Sequence, residues 1–168
     1  VRLGFFVVLS AVLGWFMGVE TIDLESMMLL TIGGYLLTGA SNGLNQIIER
    51  DTDAIMLRTK NRPIPTGRMS IRTALSLSVS SGIVGIACLG LLSYLAAILG
   101  LVALIIYAFL YTPLKSRSAL CVFVGAIPGA LPPMIGYVAA TGEFGIEPGT
   151  LFAVQFICLL YTSPSPRD

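Results

Sequence analysis

Long continuous apolar stretches recur along this 168-residue chain, and they constrain it more than any other feature. A bilayer core about 30 Å thick asks for roughly 20 apolar residues per helix. Stretches near residues 3–19, 27–48, 73–92, 95–111, 119–140 and 150–160 approach or meet that length, the last being too short to be complete. Only 11% of the residues are charged, whereas soluble domains carry about 25%, and mean hydropathy is +0.88. Backbone in hydrocarbon must satisfy its own hydrogen bonds, which leaves helices or closed barrels. A barrel strand alternates over ~10 residues, but these stretches run on unbroken. The expected fold is all-α, a polytopic transmembrane helical bundle forming one membrane domain and embedded in the lipid bilayer. The first stretch lacks a cleavage site followed by soluble sequence, so it reads as a span and not a cleaved signal.

Charge placement gives the topology, because Lys and Arg are retained on the cytoplasmic side. Arg50, Arg58, Lys60, Arg62, Arg68 and Arg72 fall in one connection, Lys115 and Arg117 in the next on the same face, and Arg2 precedes the first span. The opposite connections hold Glu20, Asp23, Glu25, Glu143 and Glu147 without a basic residue, and Arg167 alone lies outside the pattern. The loop over residues 50–72 is therefore expected in the cytoplasm. Cys88, Cys121 and Cys158 are scattered through apolar segments without paired spacing, so they read as packing residues. The chain has no histidine, which excludes histidine acid/base chemistry and axial heme ligation by histidine within it.

The informative polar stretch runs from Asn45 to Arg68. Asn45, Glu49 and Asp53 are spaced i, i+4, i+8, so at 3.6 residues per turn their oxygens share one helix face. Asp51 lies off that stripe and reaches it only if the helix unwinds. Mg²⁺ is usually held by one or two carboxylates plus substrate phosphates, and an amide with two or three carboxylates at a helix end suits that need. Arg58, Lys60, Arg62 and Arg68 follow directly, and guanidinium and ammonium groups donate to phosphate oxygens. Metal and cations together would neutralise a departing diphosphate, while apolar helices hold an isoprenoid tail away from water. Solvated charge at a helix end is the plain alternative. Intramembrane carboxylates cost up to ~2.5–3.5 kcal/mol each near the bilayer centre, which favours a wet or metal-filled cavity, though less so near the interface.

Asn45-x-x-x-Glu49-x-Asp51-x-Asp53 resembles the first aspartate-rich motif of the UbiA superfamily of membrane prenyltransferases. Glu49, the run Met56-x-Arg58-Thr59-x-x-Arg62-Pro63-x-x-x-Gly67-Arg68, Tyr111-Thr-Pro-Leu-Lys115 and Gly125-Ala-Ile-Pro128-Gly-Ala-Leu-Pro132-Pro133-x-x-Gly136-Tyr137 are similar to its heme O synthase branch. The resemblance spans about residues 14–156. It implies Mg²⁺-dependent transfer of a farnesyl group from farnesyl diphosphate to a vinyl group of protoheme IX (heme b), giving heme O. It further implies Asn45, Glu49 and Asp53, with Asp51, as catalytic metal ligands, and Arg58, Lys60, Arg62, Arg68 and Lys115 as diphosphate-binding residues, with Arg117 a possible addition. A bacterial inner membrane is the implied location. Heme A synthase or terminal oxidase assembly partners are implied too, and no nucleic acid. Rival readings are an aromatic prenyltransferase of quinone biosynthesis and a membrane transporter, whose broken helices and intramembrane charge mark a path.

Three features have structural readings beside functional ones. Pro and Gly in the fifth span kink a helix and let helices approach closely, or shape an acceptor cavity. Tyr107 and Tyr111, one turn apart, are interface-belt tyrosines or face a cavity. Ser70 reads as the N-cap of the third span.

The resemblance implies nine helices in two halves, with a second acidic motif in the later half. Residues 1–157 are expected to be a partial domain of that kind, about five to six of the nine helices, clipped before Val1. Residues 158–168 depart from the family, with Pro164 and Pro166 interrupting a span, and read as a non-native tail. The 168 residues alone are accordingly expected to be inactive.

Overall fold

The computed structural model describes residues 2–115, 118 and 120–162. Arg117 and the tail over residues 163–168, with Arg167, lie outside the described residues. Helices follow one another as α1 (Arg2–Gly18), α2 (Leu24–Ile48), the short α3 (Arg50–Ile55), α4 (Ile71–Leu92) and α5 (Tyr94–Ile105). A π-helical turn (Ile106–Tyr111) carries α5 into α6 (Thr112–Leu114), and α7 (Cys121–Thr141) and α8 (Ile146–Thr162) complete the order. Among the described residues there is no strand. The expected all-α bundle is what forms.

Local chemistry sets the helix boundaries. Asp23 caps α2 by accepting from the backbone N–H of Glu25 and Ser26 at 3.3 and 3.0 Å, satisfying donors that a first turn leaves unpaired. Ser70 caps α4 by accepting from the Thr73 N–H at 3.1 Å, as its position before the third span suggested. Gly142 ends α7 at φ +72°, a left-handed conformation that costs glycine little. The π-helical turn has a cause in Pro113. Proline lacks an N–H and its ring crowds the carbonyl four residues back, and the wider turn relieves that conflict. The Thr112 N–H accordingly bonds the Tyr107 carbonyl five residues back.

Packing rests on small residues, as it does where lipid supplies no hydrophobic drive between helices. α2 lies along α4, and α1 and α8 both lie against α7. Gly14 faces the Pro133 carbonyl while Gly136 faces the Ala11 carbonyl, so α1 and α7 meet backbone to backbone. Trp15, 1% exposed, is held beside this contact in a core with Leu30, Leu37, Leu89, Met134 and Val138. α7 runs as one helix through Pro128, Pro132 and Pro133. Phe5, Leu13, Ile83, Leu91, Phe109 and Phe123 point outward as large exposed apolar side chains, which suits a lipid-facing surface.

Helices Ile71–Leu92, Tyr94–Leu114 and Cys121–Thr141 are long and apolar enough to cross a membrane, and Gly4–Gly18 and Ile146–Thr162 are shorter apolar helices. α2 has the length but not the hydropathy. Its C-terminal half carries Thr38, Ser41, Asn42 and Asn45, which turn to the bundle interior. α8 stays helical through Thr162.

Candidate active site

The stripe expected from spacing survives a break in the helix that carries it. α2 ends at Ile48 and α3 begins at Arg50, with Glu49 between them at φ −88°, ψ 8°. The Glu49 N–H still bonds the Asn45 carbonyl at 2.9 Å, and the Asp53 N–H bonds the Glu49 carbonyl at 2.8 Å. These two bonds keep Asn45, Glu49 and Asp53 one turn apart on one face.

Among the described residues, each of the three side chains has one polar partner from another segment. Asn45, buried, donates from Nδ2 to Thr112 Oγ1 at 3.1 Å. Glu49 Oε1 stands 3.4 Å from Lys115 Nζ. Asp53, 2% exposed, accepts from Arg62 Nη1 at 2.5 Å through Oδ2. Asn45 Oδ1, Glu49 Oε2 and Asp53 Oδ1 take no hydrogen bond from another described residue. Among the described residues no buried side-chain polar atom is left unpartnered, so these oxygens open to the surroundings. No group of three or more carboxylate, thiolate or imidazole side chains clusters among the described residues. Mg²⁺ does not ask for one, since two carboxylates and an amide oxygen leave its remaining positions to phosphate and water.

The other expected residues divide. Asp51 turns outward, 89% exposed, and pairs with Arg50 at 3.5 Å, away from the buried face. Arg68 is spent on its own loop, donating to the Asn61 carbonyl and, at 3.0 Å, to Thr66 Oγ1. Arg58 and Lys60 are exposed and form no ion pair among the described residues. Among the described residues, Lys115 and Arg62 alone of the basic set touch the stripe.

An apolar cavity of about 470 Å³ runs between α1, α2, the π-helical turn and α7. Val8, Leu37, Pro128 and Ile135 give it a greasy wall, while Ser41, Asn42, Tyr107 and Tyr111 make it polar at one end. That polar end lies one turn from Asn45 and adjoins Thr112, so the cavity leads toward the stripe. Tyr107 and Tyr111 face it with ring centroids 5.4 Å apart, which decides between their two readings. Gly125 stands against Tyr111, where a Cβ would come within 2.6 Å of the ring.

Sequence reasoning gave no role to Asn42, Thr59 or Thr112. Tyr107 Oη donates to Asn42 Oδ1 at 3.4 Å. The buried Thr59 donates to the Asp53 carbonyl at 3.1 Å. Asn42 sits three residues before Asn45, on the same helix face, and that spacing was the available signal.

A membrane bundle with an apolar cavity whose polar end lies one turn from an acid-and-amide helix end defines a class, and comparison supplies its family. Residues 4–164 match the UbiA prenyltransferase family, and the chain belongs to it as an integral membrane protein. It is 52% identical over 155 residues to a protoheme IX farnesyltransferase of Christiangramia forsetii, covering 92% of this chain and 52% of that protein. A protoheme IX farnesyltransferase of Flavobacterium psychrophilum is 49% identical over 153 residues, covering 89% and 51%. The chain thus spans about half the length of the curated relatives it matches. Among solved structures, the apo UbiA homolog of Aeropyrum pernix K1 superposes with TM-score 0.77 at 23% identity, over 95% of this chain and 59% of that one. A UbiA homolog of Archaeoglobus fulgidus bound to GPP and Mg²⁺ gives TM-score 0.74 at 19% identity, over 95% and 58%. At these identities the two structures speak for the fold.

Proposed function

We propose that this chain supplies the first acidic site of a protoheme IX farnesyltransferase, which joins farnesyl diphosphate to heme b. The observation that carries the reading is the Asn45–Glu49–Asp53 face, which begins one helical turn beyond Asn42 at the polar end of the 470 Å³ apolar cavity. The 52% identity to the Christiangramia forsetii protein supports the choice of donor and acceptor.

In this reading Asn45 Oδ1, Glu49 and Asp53 hold Mg²⁺, and the ion when bound supplies charge neutralisation at the diphosphate. Lys115 and Arg62 sit against the stripe, so they donate to diphosphate oxygens at the reacting end. Arg58 and Lys60, exposed on the same loop, are left to grip the arriving diphosphate, and Arg68 joins them by releasing its bonds to Asn61 and Thr66. The farnesyl C–O bond breaks with its electron pair leaving on diphosphate, and cations fixed in place stabilise that developing charge. The apolar cavity wall receives the isoprenoid tail and keeps water from the allylic cation. A heme vinyl carbon forms the new C–C bond. Water then adds to the resulting cation and loses a proton, giving the hydroxyethylfarnesyl group. The basic end of the bundle faces the cytoplasm of a bacterial inner membrane, following the distribution of Lys and Arg. Asp51 faces away from the stripe in α3 and would join the metal only if the helix unwound there.

The test completes the protein. Residues 1–156 are joined to the second half of the Christiangramia forsetii relative, expressed in a bacterium lacking heme O synthase, and extracted hemes are read by mass spectrometry. Heme O is expected, and is expected to vanish with Asp53→Ala while membrane insertion persists. A stably inserted chimera without heme O that instead prenylates an aromatic acceptor would move the protein to quinone biosynthesis.

A further inference from the structure

We infer that Thr112 is a positioning residue that sets which end of the Asn45 amide faces the metal. The inference rests on the metal-binding reading of Asn45 given above. An amide side chain has a donor end and an acceptor end of nearly equal size, and only the oxygen can hold a cation. Something must therefore choose between two orientations of Asn45. The choice is made by the proton of one hydroxyl.

Thr112 Oγ1 donates its only proton to the Tyr107 carbonyl at 2.8 Å. A carbonyl cannot donate, so the direction of that bond is fixed. The same oxygen, with its proton spent, can only accept from Asn45. The 3.1 Å contact is therefore made by Nδ2, and Oδ1 is turned away from Thr112. Both residues are buried, Thr112 to 2% exposure, so water does not replace either bond. The Tyr107 carbonyl is available because the chain there is π-helical, with the Thr112 N–H on the same acceptor. The sequence thus runs from Pro113, through a widened turn, to one hydroxyl and the orientation of an amide on another helix. This is how partners one step removed from a metal act, holding a ligand in one state, and their loss commonly weakens metal affinity 10- to 100-fold.

The experiment uses the completed protein in nanodiscs, with Mn²⁺ as the paramagnetic probe and unreactive farnesyl thiodiphosphate present. Mn²⁺ affinity is read by electron paramagnetic resonance for wild type, Asn45→Ala, Thr112→Val, Thr112→Ser and the Asn45→Ala/Thr112→Val double variant, beside each thermal midpoint. Thr112→Val is expected to raise Kd for Mn²⁺ about 10-fold, Thr112→Ser to restore it, and the double variant to match Asn45→Ala. Wild-type affinity in Thr112→Val beside a weakened Asn45→Ala overturns the positioning role and leaves the proposed function standing. A further loss in the double variant over Asn45→Ala also overturns it, since Thr112 would then act by another route. Where Thr112→Val does not fold, Thr112→Ser against Thr112→Ala carries the same comparison. Unchanged affinity in Asn45→Ala removes Asn45 from the metal site, and the inference with it.

Discussion

Arg62 Nη1 meets Asp53 Oδ2 at 2.5 Å, closing the loop after α3 back onto the last carboxylate of the stripe. The Asp53 side chain is 3% exposed and that of Arg62 33%. Breaking a buried pair leaves an uncompensated charge, which typically costs 3–5 kcal/mol, whereas removing both charges costs far less. The water-facing side of Arg62 softens this, so Arg62→Met is expected to destabilise by about 2–3 kcal/mol. Arg62→Met with Asp53→Asn is expected to recover most of the loss. Thermal unfolding in detergent reads both. Equal stability of Arg62→Met and wild type would mean the pair contributes nothing to the fold.

Helix α1 is expected to tolerate no side chain at Gly14, nor α7 at Gly136. A Cβ at either position would enter the backbone of the facing helix, and overpacking of this kind costs about 1–3 kcal/mol. Gly14→Ala and Gly136→Ala should each lower the thermal midpoint. Gly39→Ala, where a Cβ meets nothing within 4 Å, should not.

The cavity width is expected to depend on Gly125. In Gly125→Ala the new methyl lies 2.6 Å from Tyr111 Cε2 and drives the ring into the cavity it lines. In the completed protein, kcat/KM for farnesyl diphosphate should fall about 10-fold more than for geranyl diphosphate, the scale of 1–3 kcal/mol for a crowded pocket. An equal fall for both donors would place the tail elsewhere.

At the opposite end of the bundle, the Ser26 hydroxyl, with backbone N–H groups, holds the Asp23 carboxyl below its ordinary value of 3.8. A depressed folded pKa means the cap stabilises α2 fully above pH 3.8 and fades as pH falls through the lower folded value. Amide exchange at Ser26 and Met27 should lose protection at that acidic end. Asp23→Asn keeps a good cap without a titrating group, so its protection should show no such step.

Much of the site could be read from spacing because it is local. Asn45, Glu49 and Asp53 lie within nine residues, and two backbone bonds hold them in register through the break at Glu49. Asp51 was left undecided by spacing alone, and the short α3 turns it toward water with Arg50. Arg62 and Lys115 were expected to hold phosphate, and they were found against carboxylates, because a pairing between loop and helix depends on where the loop folds back. Thr112 had no legible role. Its partner lies 67 residues away on another helix, and no periodicity reports a contact of that kind. The Pro/Gly-rich span was legible as close packing, and Gly14 opposite Pro133 makes it so.

The Gly14–Pro133 contact also orders events in time. The two residues are about 120 positions apart in the chain. At roughly 5–20 residues made per second, α1 emerges on the order of 6–24 s before the helix that seats it. For that interval its glycine-lined face has no mate among the residues that follow directly. Assembly therefore turns on a late closing step, in which the newest helix comes back to collect the oldest.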